Sequence, residues 1–170
     1  FKEFFNWVDA DRNNVFHLAA THNNTAFFRA HYSNFIKYQY NKNSLGQTPL
    51  TRAYEGMYKE VFNFLSGELK LSKEPVFLDS ICALSLEIFL EPVVAVIDGT
   101  PHIYEKSDLE ALRDSCKEKG IPFMCPKSRK PIKEICSVVV EFRNTILNML
   151  KQYQDLQELK SNAQSKVAAN

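Results

Sequence analysis

The sequence predicts a mainly α chain that carries one small α+β unit. A short pattern recurs in its first third. Asn14-Val15-Phe16-His17-Leu18-Ala19-Ala20 is answered 34 positions later by Thr48-Pro49-Leu50-Thr51-Arg52-Ala53-Tyr54. A β-branched run, Glu91-Pro92-Val93-Val94-Ala95-Val96, precedes an Asp98-Gly99 turn signal and marks a hairpin. From Phe142 to Lys160 there is no Gly or Pro, which permits a long helix.

Composition removes several function classes. Lys plus Arg number 21 and Asp plus Glu 20, so the formal charge is +1. A general nucleic-acid or membrane-surface binder would need a basic excess. No apolar run approaches the roughly 20 residues that span a bilayer. Thirteen Phe against five Gly favour compact helical packing over a Gly-rich loop enzyme. The chain opens on Phe1 without a leader, so it is expected to be a piece of something longer.

The cysteines are Cys82, Cys116, Cys125 and Cys136, with no C-x-x-C pair. A cross-braced zinc site needs eight ligands. Cys and His together reach only eight, and three His lie within the first 31 residues. No metal, no cofactor and four reduced thiols are expected.

The recurring segment resembles the ankyrin repeat, whose T-P-L-H-x-A motif returns about every 33 residues. The second copy keeps Gly46, Thr48, Pro49, Leu50 and Ala53. The first keeps Phe16, His17, Leu18, Ala19 and Ala20. Pro at a helix start wastes no donor, and small Ala residues let neighbouring helices approach. Second helices are expected from Thr25 to Ile36 and from Tyr58 to Leu65. Phe1 to Val8 should be the second helix of an earlier repeat, with Phe4, Phe5 and Val8 inward. Residues 1–69 are thus expected to form a helical solenoid that binds protein. Its broken edge at Phe1 leads us to expect further repeats or a cap before it. Residues 70–77, polar and ending near Pro75, should be a linker.

Residues 78–150 should form the second unit. A loop and short apolar segment, Asp79 to Phe89, lead into the hairpin, with Ile103-Tyr104-Glu105 as its returning strand. A helix should run from Asp108 to about Lys119, capped by Ser107 or Asp108 and stopped by Gly120. Cys125-Pro126-Lys127-Ser128-Arg129-Lys130-Pro131-Ile132 reads as a second Pro-bounded loop, and a helix from about Val139 closes the unit.

This order resembles the U-box, the zinc-free relative of the RING domain in ubiquitin ligases. Cys82-Ala83-Leu84-Ser85-Leu86-Glu87 matches its C-P-I-T-L-E, and Glu91-Pro92-Val93 its D-P-V. Gly99 through Tyr104-Glu105-Lys106 matches G-H-T-Y-E-R with two extra residues. Leu109 through Leu112 matches the I-x-x-W-L helix, and Cys125 to Ile132 matches C-P-x-T-R-x-P-L. Ala83 stands for Pro, Leu112 for Trp, and Val138-Val139 for Pro-Asn.

The resemblance implies a ubiquitin-protein transferase that forms no covalent intermediate. Its partners would be a ubiquitin-charged E2 enzyme, ubiquitin, and a protein substrate held by the repeats. Leu84, Leu112, Pro126, Lys127 and Arg129 would contact the E2. Arg129 would bridge E2 and ubiquitin, because a guanidinium can hold two carbonyls at once. Ser85, Glu87, Asp98, Glu105 and Ser128, with His102 and Lys130, would replace zinc by hydrogen bonds and ion pairs. The alternative is an ankyrin adaptor with a degenerate U-box, suggested by Val138-Val139. Repeats fused to a U-box also imply an effector that an intracellular bacterium delivers to the host cytosol.

Residues 151–170 should be a helical extension with a frayed tail after Ser161. Phe142, Ile146, Met149, Tyr153 and Leu156 step by 4, 3, 4 and 3, the spacing of a coiled-coil seam. About two heptads are short for an independent coiled coil. Packing within a monomer is therefore preferred to a dimer.

Overall fold

The structure, a computed structural model, describes residues 4–136 and 140–168. The chain is mainly α with one small antiparallel sheet. It divides into two compact units, 1–69 with 147–170, and 70–146.

The first unit holds two helical hairpins, α1 (Val15–Thr21) with α2 (Thr25–Tyr38), and α3 (Pro49–Glu55) with α4 (Lys59–Glu68). Helix α1 packs on α3, and α2 on α4. The 34-residue repeat is written into the backbone. Arg12 (φ 61°) and Gly46 (φ 71°) share a left-handed turn position, as do Asn23 (φ 49°) and Met57 (φ 55°). Asp9 accepts from the Asp11 and Asn13 N–H groups, and Asn43 accepts from those of Leu45 and Gln47. These side chains close equivalent Asx turns. Asn14 and Thr48 then cap α1 and α3 in reciprocal capping boxes, with His17 and Thr51 as the answering side chains.

Aromatic rings fill the interior. Phe16 is fully buried and meets Phe5, Phe28 and Phe35 at centroid distances of 5.6, 5.9 and 5.5 Å. The expected helix at the chain start is only a 3-10 turn, Phe4–Asn6, among the described residues. Phe5 points inward as expected, but Phe4 and Val8 are about half exposed. A 3-10 turn brings i and i+3 onto one side, so it cannot bury the face that a longer α-helix would.

His17 ties the hairpins together. Its Nε2 meets the Gln47 carbonyl at 2.8 Å, and its Nδ1 lies 3.2 Å from the Asn14 N–H. The Gln47 carbonyl can only accept, so Nε2 donates to it, while Nδ1 also lies 2.8 Å from Asn14 Oδ1 within the capping box of α1. Burial holds its pKa below the ordinary histidine value of about 6.5. The unfolded chain therefore takes up a proton first as pH falls. This contribution to stability is intact above about pH 6.5 and is lost below it, with a slope of at most about 1.4 kcal/mol per pH unit. Urea unfolding between pH 7.5 and 5 should show this fall in wild type. It should be flatter in His17→Gln, and an equal slope in both would reject the assignment.

Helix α5 (Lys106–Glu118) and the sheet belong to the second unit. The strands are β1 (Pro92–Ile97), β2 (Thr100–Glu105) and β3 (Glu134–Cys136), in the order β2-β1-β3 and antiparallel throughout. Asp98 (φ 48°) and Gly99 (φ 77°) make the two-residue turn between β1 and β2. Both central residues have positive φ, as a type I′ turn requires. Val93, Ala95, Ile97, Tyr104 and Leu109 are buried. Residues 70–77, expected as a polar linker, carry 3-10 turns at Leu71–Lys73 and Pro75–Ser80, with Leu71 and Phe77 fully buried.

Helix α6 covers Val140–Ala168. Its buried positions are Ile146, Leu150 and Gln154, four apart. Of the expected seam, Ile146 is buried, Phe142, Met149 and Tyr153 are half-buried, and Leu156 is exposed. A straight helix turns every 3.6 residues, so a heptad seam drifts off any flat contact. In the first unit Lys151 pairs with Glu55 at 3.1 Å, and Thr48 bonds Gln154. The helix continues past Ser161 to Ala168, where Ala, Gln and Lys are good helix formers.

Candidate functional site

Two loops of the same build flank the sheet of the second unit. In the first, Ile81 bridges Ile88, the Cys82 N–H bonds the Glu87 carbonyl (2.8 Å), and the Leu86 N–H bonds the Cys82 carbonyl (2.9 Å). In the second, Met124 bridges Pro131, the Cys125 N–H bonds the Lys130 carbonyl (2.8 Å), and the Arg129 N–H bonds the Cys125 carbonyl (2.8 Å). Each turns through a left-handed residue, Leu86 at φ 60° and Arg129 at φ 56°.

Both loops are fastened at one place through buried thiols. The Glu105 N–H donates to Cys82 Sγ at 3.3 Å, and the Tyr104 hydroxyl lies 3.1 Å from Cys125 Sγ. Tyr104 and Glu105 end β2, and α5 begins at the next residue. The Ser128 N–H also donates to Cys125 Sγ, at 3.3 Å. Burial works against a thiolate at Cys125. Hydrogen bonding from Ser128 and Tyr104 outweighs it, so this thiol sits below its ordinary value. Burial, and then the bond to Cys125, hold the Tyr104 phenol well above its own.

The expected polar network is only partly the one that holds the loops. Glu105 is its centre. The carboxylate is buried, and one oxygen accepts from the Leu90 and Glu91 N–H groups at 2.9 and 3.0 Å. This also corrects the expected cap of α5. Glu105 occupies the N-cap, not Ser107 or Asp108, and makes no side-chain cap bond. Asp98 pairs with Lys130 at 2.9 Å, joining the hairpin turn to the second loop. Both partners are more than half exposed, so this pair contributes little to stability. Glu87 is exposed and takes part through its carbonyl. The Ser85 hydroxyl is buried without a hydrogen-bond partner among the described residues. His102 is half-buried in β2, opposite Ala95. Val138 and Val139 lie outside the described residues.

Of the expected E2 contacts, Leu84 and Leu112 are half-buried, while Pro126, Lys127 and Arg129 are exposed. Sequence reasoning missed Leu86, which is 69% exposed. It is an exposed leucine at a left-handed backbone position, φ 60°. Its signal was the place it shares with Arg129 in the twin loop. The first loop thus presents apolar side chains and the second presents cations.

No group of three or more His, Cys, Asp or Glu is placed to hold a metal ion among the described residues. No helix there is long and apolar enough to cross a membrane. Comparison with protein-family models, curated proteins and solved structures finds no match.

Proposed function

We propose that the chain is a ubiquitin ligase of the U-box type. The second unit would dock a ubiquitin-charged E2, and the ankyrin-like hairpins of the first would hold the target protein. The observation that carries this reading is the pair of like loops, each pinned through a buried thiol to Tyr104 or Glu105. Such loops need no zinc to keep their shape. They leave Leu84, Leu86 and Arg129 free to face a partner.

The chemistry belongs to the E2 and the target. A lysine amine of the target attacks the thioester carbonyl. The C–S bond breaks, an amide C–N bond forms, the amine loses its proton, and the E2 thiol is released. The ligase supplies orientation and fixed donors aimed at the reacting pair. Arg129 is suited to that task because its guanidinium is exposed at the turn of the second loop. The proposed setting is the cytosol of a eukaryotic cell, where charged E2 is present.

Single-turnover discharge of E2–ubiquitin onto free lysine tests the reading across a panel of E2 enzymes. Arg129→Ala should slow discharge about tenfold or more while E2 affinity stays within a few fold. Arg129→Gly should do the same and should not lower the melting temperature, since glycine favours a φ of 56°. Unchanged discharge in both would make Arg129 structural. E2 binding without any discharge would favour the adaptor reading.

A further inference from the structure

One residue holds the second loop together from within. The Cys125 N–H bonds the Lys130 carbonyl, the Cys125 carbonyl accepts the Arg129 N–H, and Cys125 Sγ accepts the Ser128 N–H. From outside the loop come the Asp98 carboxylate, paired with Lys130, and the Tyr104 hydroxyl, at Cys125 Sγ. The first pair is more than half exposed and open to screening by salt, whereas Tyr104 is fully buried.

Tyr104 is firmly set. It lies in β2 opposite Val93 of β1, one residue before the strand ends. A buried ring on a strand has few torsions to fix, so its hydroxyl is a stiff strut. Packing alone does not account for a tyrosine here. Phenylalanine would fill the same space without a hydroxyl to satisfy. A thiol is a weak hydrogen-bonding group, so the contact adds little net stability. What it adds is a location for Cys125, and through the Cys125 carbonyl a location for the Arg129 N–H, 2.8 Å away.

The twin loop is set differently. Its Cys82 Sγ receives the main-chain N–H of Glu105, the next residue along. Neighbouring residues at the end of β2 thus hold separate loops. Glu105 holds the apolar one, with Leu84 and Leu86, and Tyr104 the cationic one, with Lys127 and Arg129.

We infer, resting on the ligase reading of the second unit, that Tyr104 is a positioning residue for ubiquitin transfer: through Cys125 its hydroxyl fixes where Arg129 meets the E2–ubiquitin thioester. Being fully buried, Tyr104 touches neither E2 nor ubiquitin, so it governs the rate of transfer and not E2 affinity. Misplacing an orienting group by about 1 Å can cost about 100-fold in rate. Losing one hydroxyl contact loosens the loop without removing its internal bonds, so a loss of about tenfold is expected.

The test uses the full 170-residue chain in single-turnover discharge of E2–ubiquitin onto free lysine, over a range of chain concentrations. Tyr104→Phe deletes the hydroxyl and keeps the ring. It should lower the saturated rate about tenfold and leave the half-saturating concentration within about twofold. Cys82→Ala removes the anchor of the first loop and should show the opposite split, weakening E2 binding more than it slows discharge. In an Arg129→Ala background Tyr104→Phe should cost nothing further, because its effect runs through Arg129. Circular dichroism reads the fold of each variant, and nitrogen-15 spectra read the loops without E2. The Arg129 amide signal should move in Tyr104→Phe and the Leu86 amide signal should stay. Equal losses of rate and affinity, a full additional loss in the Arg129→Ala background, or an unmoved Arg129 signal would each overturn the inference. A wild-type chain that discharges no ubiquitin removes the ligase reading and this inference with it. Wild-type discharge that Tyr104→Phe leaves unchanged overturns this inference alone.

Discussion

Glu105→Ala is expected to cost the second unit about 3–5 kcal/mol, because hydrogen bonds to a charged acceptor contribute about 1.5–3 kcal/mol each. Two such bonds, from the Leu90 and Glu91 N–H groups, converge on one buried carboxylate oxygen. Leu90 is buried, so its N–H finds no water when the acceptor is removed. Glu105 also sits where β2 meets α5, and its own N–H holds Cys82. The loss should therefore spread to the first loop. A small domain has only about 5–15 kcal/mol in hand, so partial unfolding near physiological temperature is expected. Glu105→Gln keeps an acceptor oxygen without the charge and should fall between wild type and Ala. Urea unfolding of all three proteins gives the order. A cost below about 1 kcal/mol for Ala would mean that the two N–H groups find other acceptors.

The repeat and the hairpin were legible because few residue types can do what those positions need. Asp98-Gly99 serves a turn with two positive φ values, and Asn14 and Thr48 begin helices with an oxygen to spare. Strand β3 was not legible: Glu134–Cys136 is three residues long, too short to show alternation. The α5 cap was misplaced because Glu105 binds backbone groups 14 and 15 residues away, which no local pattern reports. The means of holding the loops was half seen. Polar side chains were expected to replace a metal, yet the thiols of Cys82 and Cys125 do much of it. The likeness of Cys82-x-x-Ser85 to Cys125-x-x-Ser128 was in the sequence and would have exposed the twin loops. The seam of α6 was misjudged because its buried stripe includes the polar Gln154, engaged by Thr48 from 106 positions earlier in the chain.

If the chain is the ligase we propose, Leu84→Lys should abolish E2 binding and ubiquitin discharge while the second unit stays folded. Leu84 lies between Cys82, whose N–H and carbonyl close the first loop, and Leu86 at its left-handed turn. It is half-buried, so its side chain retains surface that a partner could cover. Covering a leucine is worth about 1.5–3 kcal/mol, and each 1.4 kcal/mol is tenfold in affinity. Leu84→Ala should therefore weaken binding by roughly 10- to 100-fold. Lysine adds the cost of an ammonium pressed into an apolar contact, which takes affinity out of a measurable range. The fold should survive because the loop is closed by main-chain bonds and by Cys82 Sγ, none of which involves the Leu84 side chain. Leu86→Ala supplies the internal control. It also removes apolar surface, and at 69% exposure it should weaken binding without lowering the melting temperature. NMR titration of labelled E2 reads affinity, and circular dichroism reads the fold. A folded Leu84→Lys protein that binds E2 as wild type does would remove the first loop from the interface. The ligase reading would lose its main contact with it.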